Sequence, residues 1–205
     1  MTDSAAPPAR RTGRWLLAAV GGWAALAAFY YLTLPIFGVL GLLGWLALAG
    51  FWILAVVTTV LAMAALIGRK AYARAAVTGI LAIVAAVAVW NADWLDIYLK
   101  SQLWLHQDSL SKLAGAHQTG TLPTNASLPW QLRYLSIDGH AHHQMGSTTD
   151  ALYLPMWENW RGEAGGGLVH LTEPPDSDTI IVTAPGGVSG PDRYLGNGWW
   201  WVEGG

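Results

Sequence analysis

The 205-residue chain has no cysteine. That excludes a disulfide framework, a thiol nucleophile and any Cys-ligated metal site. Its first 90 residues hold a single acid, Asp3, and everything after residue 90 lacks phenylalanine. No charged side chain lies between Trp15 and Leu32, between Ile36 and Gly68, or between Ala75 and Val89. Pumps and coupled transporters need ionisable groups inside the bilayer, kept there at a cost. Runs this empty argue against both.

Two nucleotide signatures are missing as well, since the chain has neither a Walker-type phosphate loop nor a dinucleotide fingerprint. The segment Pro185-Gly-Gly-Val-Ser-Gly-Pro191 does not make a nucleophile elbow, because Ser189 is followed at once by Gly190 and Pro191. It reads as a turn-rich loop. Neither half carries the basic patch of a nucleic-acid binder.

What is present divides sharply. Residues 1–90 carry six basic side chains against one acid, a net of +5, whereas residues 91–205 carry five basic side chains and twelve acids, a net of −7. All six histidines fall in the second part. The two parts suit different solvents. Arg outnumbers Lys eight to three, and Ala and Gly are abundant, which suggests a GC-rich bacterial genome.

Residues 1–14 are small, polar and proline-containing, and read as a disordered basic leader. Three spans follow at about 15–32, 45–67 and 72–90, each near the ~20 apolar residues that a bilayer requires. The rival for the first is a cleaved signal peptide, with Arg10, Arg11 and Arg14 as its basic region. Gly38, Gly41 and Gly44 make residues 36–44 a flexible or interfacial lead-in to the second span. Small residues along all three, such as Gly22, Ala47 and Gly79, permit close helix approach. Lys and Arg flank the cytoplasmic ends of spans. The basic leader and the Arg69-Lys70-Arg74 loop therefore point inward, which sends residues 91–205 outward. The implied localisation is a bacterial inner membrane, multi-pass, with a cytoplasmic N-terminus.

Leu95, Leu99, Leu103, His106, Leu110 and Leu113 recur at helical spacing, predicting that segment 91–116 is an amphipathic helix running from about Asp93 to Ala114, with Gly115 as the stop signal. Residues 117–130 read as a loop; its Asn125-Ala-Ser127 matches a glycosylation acceptor in a context that offers no support for one. Residues 131–205 read as strands: 133–137 and 140–145 joined by a type I′ turn at Asp138-Gly139, then 151–156, 167–172, 179–183 and 199–203. The expected fold is a membrane protein with three transmembrane α-helices followed by a small α+β extracytoplasmic domain. That domain combines one long helix with a five- or six-stranded antiparallel sheet.

Three features carry chemistry. His140, His142 and His143 are candidate ligands for Zn²⁺ or Cu²⁺, because His140 and His142 share a strand face; Asp138 or His106 could supply a third group. Trp157, Glu158, Trp160 and Arg161 combine ring faces and bidentate donors suited to a sugar or an anion. In Trp199-Trp200-Trp201 at least one ring, Trp200, must face away from its neighbours. The implied function is an extracytoplasmic domain that binds a ligand or partner without catalysis. The bilayer and other membrane helices would be its further partners. The alternatives are a His-ligated metal protein or metalloenzyme, and a structural subunit of a membrane complex.

Overall fold

The computed structural model describes residues 8–34, 37–145, 150–158, 165–184 and 187–204. It divides into two units, Met1–Ile97 and Tyr98–Gly205.

In the first unit, α1 (Pro8–Thr33), α2 (Phe37–Ile67) and α3 (Tyr72–Asn91) are the apolar helices. Gly13–Thr33, Leu40–Ile67 and Tyr72–Asn91 are each long and apolar enough to cross a membrane. Two starts differ from expectation. Residues 8–14 of the expected leader are already helical, with Pro8 in the first turn, where its missing N–H costs nothing. The lead-in to the second span is also helical, but broken at Gly41, whose φ of 50° and ψ of −129° only glycine adopts readily.

Close approach holds α1 on α2. A Cβ added at Gly22 would lie 2.8 Å from Thr58 Oγ1 and 3.1 Å from the Ala55 Cα. Leu26, Leu48 and Ala55 are buried there, and the Trp23 indole N–H donates to Thr59 Oγ1 at 3.1 Å. Leu43, Ile53, Val77 and Ile83 stay exposed, as lipid-facing side chains would.

The amphipathic helix is two helices, α4 (Trp94–Leu105) and α5 (Gln107–Gln118). Asp93 caps α4 by accepting the Asp96 N–H at 2.9 Å, so α4 does not continue α3. His106, at φ −111° and ψ 20°, separates α4 from α5. Gly115 does not end α5, which runs on to Gln118 and closes before Gly120 at φ +64°.

Eight strands follow: β1 (Asn125–Ser127), β2 (His140–Met145), β3 (Asp150–Glu158), β4 (Gly165–Leu171), β5 (Ile181–Ala184), β6 (Gly187–Ser189), β7 (Pro191–Gly196) and β8 (Trp199–Glu203). Six form one antiparallel sheet in the order β1-β2-β3-β4-β8-β7, and β5-β6 is a separate hairpin.

The expected 133–137 strand is a 3₁₀ turn instead, Arg133–Leu135. The buried Leu132, just before the turn, and Leu135 within it are three apart, which is a helical spacing. Asp138 is not at positive φ, so Asp138-Gly139 cannot be a type I′ turn. β2 pairs instead with β1, inside the expected loop, and on its other side with β3. The turn with both central residues at positive φ is Asn197 (52°) and Gly198 (77°), joining β7 to β8.

Pairing aligns His143 with Leu152, Leu152 with His170, and His170 with Trp199. Directly paired residues share a face, so two histidines and a tryptophan form one row across four strands. The other face carries Ala151, Tyr153, Val169, Leu171 and Val202, packed with Ile181 of β5.

Candidate metal centre

The row sets His143 and His170 on one sheet face, and Asp150 joins it because it lies two residues before Leu152 on β3. The fourth member comes from α5. His117 continues the stripe Leu110, Leu113 by one more helical step, and is buried.

The contacts converge on one oxygen. His143 Nε2 lies 2.6 Å and His117 Nε2 3.1 Å from Asp150 Oδ1. On its other edge, His117 Nδ1 lies 3.1 Å from His170 Nδ1. One ligand atom from each of His117, His143 and Asp150 lies within 4.8 Å of the others. The His117 and His143 side chains are 0% and 6% exposed, against 49% for Asp150. The group is therefore walled on the histidine side and open to solvent at its carboxylate.

The electrostatics follow from that placement. Burial lowers the His117 pKa more than its Asp150 contact raises it. Burial pushes His170 down to about 4, helped by the neighbouring His117. Burial alone would raise the Asp150 carboxyl; the hydrogen bonds from His143 and His117 outweigh it and hold the group below the ordinary carboxylate range. The result is neutral imidazoles at His117 and His170 beside an ionised Asp150 carboxylate. Metal ligation requires those protonation states.

Two imidazole nitrogens and one carboxylate oxygen suit a divalent transition metal. Bonds of about 2.0–2.1 Å would separate tetrahedral ligand atoms by roughly 3.3 Å. His117 already stands near that separation from Asp150, and His143 would have to draw back by about 0.7 Å. His170 accepts or donates at His117 Nδ1, the contact that orients a metal-ligating imidazole.

Of the histidines expected from sequence, only His143 enters this group. His142 points to the opposite face, pairing with Tyr153, and its Nε2–H donates to Asp138 Oδ2 at 2.7 Å. His140 Nδ1–H donates to the Asp138 carbonyl at 2.8 Å. Asp138 is tied up further, accepting from the Ser136 hydroxyl and the His140 backbone N–H. His106 is hydrogen-bonded to the Tyr134 hydroxyl. Among the described residues, these four make no metal-binding group.

Trp160 and Arg161 lie outside the described residues. Trp157 and Glu158 are half-buried at the far end of β3, past a bulge after Pro155. Trp200 faces away from the histidine row, half-buried on the Tyr153–Val169 core and 4.9 Å from the Tyr194 ring. Trp199 is buried and stands 5.2 Å from the His170 ring.

No protein-family model, curated protein or solved structure matches this chain. The functional reading therefore rests on the site's own chemistry.

Proposed function

We propose that this is a membrane-anchored metal-binding protein whose second unit holds one divalent transition-metal ion, Zn²⁺ or Cu²⁺, at His117, His143 and Asp150. The observation that carries the reading is the convergence of two buried imidazoles on one carboxylate oxygen, with His170 bracing the deeper imidazole from behind. Three protein ligands leave a fourth position for water or a ligand. The exposed side of Asp150 is where that position would reach solvent.

The apolar helices supply the anchor. Basic residues in the leader and the 69–74 loop support a cytoplasmic N-terminus and an extracytoplasmic metal unit. A bacterial inner membrane fits that arrangement and the Arg- and Ala-rich composition.

The test is metal analysis of the full-length protein purified in mild detergent and equilibrated with Zn²⁺. Wild type and a His140→Ala/His142→Ala variant should each retain one equivalent. His117→Ala/His143→Ala and the milder Asp150→Asn should not, with circular dichroism confirming that they fold. Failure of the wild type to retain metal, or its loss from the His140/His142 variant alone, would overturn the reading.

A further inference from the structure

Beside the histidine group, within the second unit, is a cavity of about 580 Å³. That lies in the range of small-molecule sites, roughly 300–1,000 Å³. Its floor is buried and formed by Leu110, Ala114, His170 and Trp199. Its exposed mouth carries Lys100, Gln107, Gln118 and Asn197. The lining thus includes a cation, several amide donors and two indoles, Trp104 and Trp199, and no carboxylate among the described residues. That chemistry suits a small organic anion with an apolar or aromatic body.

His170 belongs to both places. Its Nδ1 meets His117 Nδ1 at 3.1 Å, while its Nε2–Cδ2 edge lies against Gly198, beside the lining residues Asn197 and Trp199. A neutral imidazole has one N–H, so the two edges cannot be set independently.

Without metal, Asp150 can only accept, so His117 must donate from Nε2. Its Nδ1 is then a bare lone pair, and His170 must donate to it from its own Nδ1. That leaves His170 Nε2 without a proton, facing the Gly198 side as an acceptor. With a metal on His117 Nε2, every role reverses. His117 carries its proton on Nδ1 and donates to His170 Nδ1, and the single His170 proton moves to Nε2. His170 keeps its one proton throughout; only the nitrogen that bears it changes.

Resting on the metal-centre reading, we infer that this cavity binds a small carboxylate, and that metal at His117, His143 and Asp150 makes it competent by turning His170 Nε2 into a donor. Lys100 and the mouth amides supply the charge and the remaining donors. Trp199 supplies a flat apolar wall.

The test is calorimetric titration of benzoate into full-length protein in detergent, metal-free and Zn²⁺-loaded, with benzamide as the uncharged isostere. Benzoate should bind the Zn²⁺ form about tenfold more tightly, and by linkage should tighten Zn²⁺ binding by the same factor. Benzamide should show no such preference. His170→Phe should abolish the metal dependence, and Lys100→Gln should weaken benzoate in both forms. Equal benzoate affinity with and without Zn²⁺, no benzoate binding at all, or benzamide binding as well as benzoate would each overturn the inference while leaving the metal site standing. Failure to bind Zn²⁺ in the same titration would overturn both.

Discussion

His117 is the residue on which the site turns, because it comes from a helix and touches Asp150, His170 and the His143 ring. Replacing it with alanine should abolish stoichiometric metal and also leave the buried His170 Nδ1 without its partner. An orphaned buried group costs about 1–3 kcal/mol, and thermal denaturation of the metal-free protein should show a loss of that order. Acid should act on the same residues. The folded-state pKa values of His117 and His170 are lowered, so the unfolded chain binds more protons between the ordinary histidine value and the folded one. Metal-free stability should therefore fall as pH drops from about 6.5 toward the His170 value of about 4. Denaturant melts across that window would check it, and a flat profile would count against buried neutral imidazoles. Of these residues only His143 was legible from the sequence. His117 sat in plain register on the leucine stripe, but Gly115 read as a stop. Asp150 and His170 lie 7 and 27 residues beyond His143, and only sheet pairing reveals that they share its face. His140 and His142 stood out by clustering, yet adjacency on a strand puts His143 on the other side.

At the level of elements, the β7–β8 turn fixes the back of the site. Gly198 is at φ +77°, and a Cβ there would lie 2.9 Å from His170 Nε2 and 3.1 Å from the Leu171 carbonyl oxygen. Gly198→Ala should combine backbone strain with displacement of His170, costing on the order of 1–3 kcal/mol and weakening metal binding although it removes no ligand. A metal titration of that variant would separate it from a purely local defect. Asp93 matters differently, as the cap of α4; Asp93→Ala should cost about 1 kcal/mol in thermal stability and leave metal affinity unchanged. The helices and the antiparallel sheet were readable because period 3.6 and period 2 are strong signals. The β1 and β7 strands were not. β1 is three residues long, inside a Pro- and Thr-rich stretch, and β7 opens with Pro191 at the sheet edge, where proline is tolerated but masks a strand.

For the whole molecule, charge and chemistry divide at the same place: a basic, uncharged-cored first part and an acidic second part holding every histidine. Reporter fusions after Gly205 should be active only outside the cytoplasm, and a cytoplasm-active fusion would reverse the orientation proposed for the metal unit. Whatever the side, the central claim is that a metal sits between α5 and the sheet. Zinc K-edge absorption on the full-length, Zn²⁺-loaded protein tests this most directly. The expected spectrum shows nitrogen and oxygen neighbours at about 2.0–2.1 Å, with outer-shell scattering from two imidazoles that disappears in His117→Ala/His143→Ala. A spectrum of oxygen neighbours alone, without imidazole scattering, or one unaltered by that double substitution, would contradict it.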